Sequence, residues 1–136
     1  MEFIINYFTT NPNLIKAAII ISGYFLTFLI TNYLIKKIVL KDKEASDVDK
    51  DGKIAEADKK IIRDGYIIGK CENIIILSFV LAGEITGLAL IFAAKNLARQ
   101  KDINDNAGFF LAGTMVNFTT SLVLGFCIKF ILTFIP

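Results

Sequence analysis

Three long apolar runs constrain this chain more than any other feature. They lie at about residues 14–40, 72–95 and 107–134, and each is long enough to cross roughly 30 Å of hydrocarbon as a helix. A backbone in lipid has no water to bond, so a span of this kind must be helical. The expected fold is therefore an all-α integral membrane protein with three transmembrane helices and a polar loop over 41–71. Hydrophobic residues make up 54% of the 136-residue chain, which fits one membrane domain. Met1 to Thr10 lacks the basic n-region of a cleavable signal peptide, and none is expected. Residues 1–12 read instead as an interfacial segment, with Phe3, Ile4, Tyr7 and Phe8 at helical spacing, or as a frayed start to the first span. Asn11-Pro12 breaks that segment, and Asn13 is placed to cap the first long helix.

The spans carry small and hydroxyl-bearing residues at every fourth position. In the first these are Gly23, Thr27 and Thr31; in the third, Gly113, Asn117, Ser121 and Gly125. Such stripes let helix backbones approach closely, or line a pore. The second span contains Gly83 and Gly87 in a GxxxG spacing, with Glu84 near the expected bilayer midplane. A carboxylate at that depth is costly. It either serves an ion or proton pathway or sits protonated across a helix interface, with Thr86 or Asn117 as partner. Asp102, Asn104 and Asp105 are available to cap the third span, and Lys129 to snorkel toward an interface.

Between the first two spans the chain reads Asp47-Val48-Asp49-Lys50-Asp51-Gly52-Lys53-Ile54-Ala55-Glu56-Ala57-Asp58. Carboxylates fall at positions 1, 3, 5 and 12 of a twelve-residue loop, glycine at 6 and an aliphatic residue at 8. Ca²⁺ is a hard cation that takes oxygen ligands, and this spacing wraps carboxylates around it while glycine makes the sharp turn. The expected ligands are Asp47, Asp49, Asp51, Asp58 and the backbone carbonyl of Lys53. A solvated acidic turn is the plainer alternative. After Asp58, Lys59 to Arg63 reads as a short exiting helix that stops near Asp64-Gly65.

Ten basic residues lie between Lys36 and Lys70, interleaved with acids, so the stretch does not read as a nucleic-acid surface. The positive-inside rule puts this loop in the cytoplasm, with the N-terminus outside and the C-terminus inside. The second loop is also basic, through Lys95, Arg99 and Lys101, and pulls the other way. The chain has no histidine, its Cys71 and Cys127 form no recognisable framework, and no nucleophile has an activating partner. An enzyme is not expected.

From Asp64 to Gly125 the chain resembles the C-terminal membrane region of a bacterial family of multi-pass proteins of unknown function. The resemblance rests on Gly65-x-x-Ile68-Gly69-x-x-Glu72, Leu81-x-Gly83, Ala93-Ala94-Lys95-x-x-Ala98-Arg99 and Phe110-Leu111-x-Gly113-Thr114. It implies an integral protein of a bacterial cytoplasmic membrane and brings no activity. Members carry glutamine where this chain has Glu84. The loop over 47–58 resembles EF-hand and dockerin-type calcium loops. The resulting expectation is a small membrane subunit or assembly partner with a calcium-binding loop, its partners being lipid and other membrane subunits or copies of itself. The alternative is a homo-oligomeric ion channel gated by calcium, with Glu84 and Asn117 in the pathway.

Overall fold

The computed structural model describes residues 11–41, 52, 53 and 55–136. The described residues are helical almost throughout. Helix α1 runs Pro12–Leu34 and continues as a π-helical turn over Ile35–Val39; α2 is Glu56–Ala82, α3 Ile85–Ala98, α4 Gln100–Asp105 and α5 Ala107–Thr133. Three helices are long and apolar enough to cross a membrane: Pro12–Val39, Glu56–Ala82 and Ala107–Thr133.

The outer and inner surfaces invert the pattern of a water-soluble bundle. Ile21, Phe25, Leu29, Leu90, Leu97, Phe130 and Phe134 are exposed, whereas Thr27, Thr31, Asn73, Asn117 and Ser121 are buried. Lipid is as apolar as leucine, so nothing drives large side chains inward. Small residues and hydrogen bonds hold the helices instead.

Contacts between named residues fix the helix directions. Along α2 and α5, Gly69 lies against Asn117, Asn73 bonds Ser121, and Val80 packs on Gly125. Both residue numbers rise together, so α2 and α5 run parallel. Helix α1 runs against them: Gly23 meets Ile128 near the end of α5, with the Tyr24 and Ser78 hydroxyls sharing a hydrogen bond of 2.6 Å, while Val39 lines a cavity with Phe110 and Gly113 near the start of α5. Helix α3 folds back along α2, with Gly87 against Phe79 at one end and Lys95 beside Glu72 at the other. The chain thus passes along the bundle four times, and residues 11 and 136 lie toward the same end. The expected continuous second span is corrected by this geometry.

The correction originates at Gly83. The expected single span over 72–95 is two helices, because Gly83 takes φ +84° and ends α2. Gly83 N–H bonds the Val80 carbonyl at 3.1 Å and Glu84 N–H bonds the Phe79 carbonyl at 2.9 Å, the paired bonds of a Schellman cap. The Lys129 ammonium reaches the Val80 carbonyl at 3.5 Å, placing positive charge at the negative end of α2. Gly87 then lets α3 return closely over the Phe79 ring. The GxxxG spacing therefore builds a helical hairpin rather than the packing face of one continuous span.

Three helix ends also differ from expectation. Helix α1 starts at Pro12, with Asn11 rather than Asn13 as its N-cap residue. Proline loses nothing at this position, where its missing N–H would be unpaired anyway. Helix α2 does not stop at Asp64-Gly65 but continues through it. An interior glycine costs about 1 kcal/mol against alanine, which α2 packing can offset. Helix α5 is capped by Asn106, whose side-chain oxygen accepts from Phe109 N–H at 3.3 Å.

Candidate functional site: a polar cluster and cavity between the helices

Near the end of the bundle that holds the 41–55 connection, four polar side chains converge from three helices. Glu72 of α2 forms an ion pair with Lys95 of α3. The Lys95 ammonium also donates to Thr114 Oγ1 of α5 at 2.9 Å, and Asn117 Nδ2 donates to Glu72 Oε2 at 3.4 Å. A charge pair between apolar helices persists only when each member is matched, since an unpaired ion there costs several kcal/mol. The hairpin at Gly83 makes the pairing possible. It folds α3 back so that its last turns meet the level of Glu72.

A cavity of about 50 Å³ opens beside this cluster, enough for a few water molecules. Its walls combine apolar residues of α1 and α5, Val39 and Phe110 among them, with Tyr66, Glu72, Lys95, Arg99, Thr114 and Asn117. The π-helical turn over Ile35–Val39 contributes Ile35 and Val39 to the same wall. Such turns often occur at functional sites. Among the described residues, Tyr66 Oη and Asn117 Oδ1 are buried without a hydrogen-bond partner. Arg99 lies over the Phe110 ring, 5.0 Å from its centre. Gly65, Gly113 and Phe109 also belong to the lining.

The sequence-predicted residues fall into distinct places. Asn117, Ser121 and Gly125 are buried against α2, and Gly23 packs on Ile128. Thr27 and Thr31 donate to the Gly23 and Thr27 carbonyls of their own helix. Gly113 departs from the stripe: a side chain there would meet nothing within 4 Å, because it faces the cavity. Glu84 and Thr86 are exposed at the hairpin turn. Glu84 follows Gly83, which faces Lys129, and Lys129 is roughly 18 Å along α5 from Asn117 at 1.5 Å per residue. The structure does not bring Glu84 to Asn117. Glu84 lies at a turn rather than within a continuous helix, and Asn117 pairs with Glu72 instead.

Of the expected calcium loop, Asp47, Asp49 and Asp51 lie outside the described residues. Gly52, at loop position 6, takes φ +85°, the left-handed backbone that the sharp turn of such a loop needs. Asp58, at position 12, is fully buried and its Oδ2 accepts Ala55 N–H at 2.9 Å, capping α2 from within its first turn. Lys53 is exposed. Cys71 and Cys127 are free and exposed.

Sequence reading missed Glu72, Lys95 and Tyr66 as members of a site. Lys95 read as a topological charge, and Glu72 as the start of a span. The available signal was that charged residues 23 positions apart flank a Leu-Ala-Gly break in an apolar run, as a hairpin requires. No protein family, no curated protein and no solved structure matches this chain.

Proposed function

We propose that the chain is a small membrane-embedded subunit or assembly partner whose calcium-binding loop holds the start of α2. The observation that carries this reading is the pair of loop residues at positions 6 and 12. Gly52 has the left-handed turn conformation, and Asp58 is drawn into the first turn of α2. Calcium held by Asp47, Asp49, Asp51 and Asp58, with the Lys53 carbonyl, would tie the connection from α1 to that turn. Helix α2 carries Tyr66 and Glu72 into the cavity, so the loop and the polar cluster share one rigid element. The exposed apolar faces supply contact with lipid and with other membrane helices.

In this reading the short helix α3 is a fourth crossing. Every basic residue of the chain except Lys16 and Lys129 then belongs to one side, including both basic connections. The charge conflict between the two loops disappears, because four crossings put both in the cytoplasm. Lys16 and Lys36 are about 30 Å apart along α1, matching the hydrocarbon thickness.

The test is a calcium titration by calorimetry of the purified protein, with magnesium competition and a D47A/D51A control. The reading predicts micromolar binding that the control abolishes. Heat that is absent, or unchanged in the control, would reduce the loop to a turn.

A further inference from the structure

The cavity beside Glu72 and Lys95 holds two polar atoms that the protein leaves unmatched. Asn117 is 4% exposed, and its Oδ1 is buried without a hydrogen-bond partner; Tyr66 Oη is buried without one as well. The Asn117 amide nitrogen is directed to Glu72 Oε2, which fixes its carbonyl oxygen as the unmatched end, since the reverse orientation would set oxygen against carboxylate. A buried polar atom left without a partner is costly, and native proteins hold few of them. The two atoms belong to neighbouring levels of α2: Asn117 packs on Gly69, and Tyr66 precedes Gly69 by three residues, about 4.5 Å along the helix. Charge is not what the cavity lacks. Glu72 is paired with Lys95, and Arg99 has partners of its own, the Phe110 ring among them. The remaining wall, with Val39, Leu40, Phe109 and Phe110, is apolar, and the adjacent Ile38 and Leu111 are exposed on the surface of the bundle.

A carbonyl oxygen only accepts, so the occupant must bring a donor to Asn117, while the Tyr66 hydroxyl can donate to an acceptor. Water would meet both atoms but leave the apolar wall wet, whereas an amphiphile covers both kinds of surface. From this combination we infer that the cavity binds an uncharged glycerolipid with a free hydroxyl, of the diacylglycerol class. Its hydroxyl donates to Asn117 Oδ1, an ester carbonyl accepts from Tyr66 Oη, and its acyl chains lie along Val39 and Phe110. Gly113 leaves room for it, since among the described residues nothing lies within 4 Å of where a Cβ would stand. The inference does not require the calcium loop; it rests on the chain being embedded in a membrane.

The experiment is native mass spectrometry of the full chain in dodecyldimethylamine oxide, a detergent with no hydroxyl group. The chain is titrated with dioleoylglycerol, with the dioleate of propane-1,2-diol, or with free glycerol. The propanediol diester has the same chains and carbonyls and lacks only the hydroxyl. The proposal predicts one retained dioleoylglycerol, held at least about tenfold more tightly than the propanediol diester, and no retention of glycerol at equal concentration. Y66F deletes a contact to the lipid and none within the protein. It should bind dioleoylglycerol about fivefold or more weakly, while its thermal midpoint without lipid stays at or above wild type. G113L places a side chain in the cavity and should lose the retained lipid at least about tenfold with its helical content unchanged. Equal retention of the two diesters by wild type would identify an ordinary lipid shell and overturn the proposal. So would undiminished binding by Y66F or by folded G113L. Glycerol held as tightly as the lipid would overturn it too, assigning the site to a small soluble polyol.

Discussion

Glu72 and Lys95 illustrate how a charge pair behaves when it is surrounded by apolar helices. Each is mostly covered, and each has a further polar neighbour, Asn117 for Glu72 and Thr114 for Lys95. Removing one partner leaves the other charged and unmatched. E72L or K95M alone should therefore lower unfolding free energy by about 3–5 kcal/mol, whereas the E72L/K95M double variant should recover most of that loss. Reversible denaturation of the detergent-solubilised protein measures both; equal damage in the double variant would contradict the pairing. At Gly52 the effect is one of backbone conformation, since among the described residues nothing lies within 4 Å of where a Cβ would stand. G52A should weaken calcium binding about tenfold, because the left-handed backbone costs a Cβ-bearing residue roughly 1–2 kcal/mol. Residues of this kind differ in legibility. Gly52 and Asp58 belong to a local pattern that can be read within twelve positions. Glu72 and Lys95 acquire meaning only through a turn between them.

The element that decides the topology is the hairpin of α2 and α3. Its turn depends on one left-handed glycine, and its closure on another that accommodates the Phe79 ring. G83V should cost about 1–2 kcal/mol through backbone strain. G87L should cost about 1–3 kcal/mol through overpacking against Phe79. Loss of unfolding free energy in the same denaturation assay checks both, and a neutral G83V would contradict the turn. The long spans 12–39 and 107–133 were legible from hydropathy to within a few residues, because lipid contact demands length and apolarity alone. The break at Gly83 was not. Glycine is common in membrane helices, so one glycine among leucine, alanine and isoleucine carries little local signal. What distinguishes it is tertiary: the capping bonds to Phe79 and Val80, the Lys129 ammonium, and the ion pair at the far end of α3. The packing stripes fared better. Asn117, Ser121 and Gly125 face α2 as their spacing implies, and only Gly113, which borders the cavity, does not.

At the scale of the whole molecule, the parallel arrangement of α2 and α5 unites fold, charge and site. It requires an even number of passes between residue 11 and residue 136. It gathers the ends of the 41–55 and 99–106 connections, the ion pair and the cavity at one end of the bundle. An odd number of crossings would separate those connections and leave Lys95 and Arg99 on the side away from Lys36 and Lys37. The most direct measurement is side-specific thiol labelling in sealed membrane vesicles, using single-cysteine variants in a C71A/C127A background. The probes are K53C, E84C, N104C and I135C, read with a membrane-impermeant maleimide. The account predicts that positions 53 and 104 react from one side and positions 84 and 135 from the other. Reaction of position 135 together with position 53 would mean three crossings, and would contradict the parallel bundle on which the site depends.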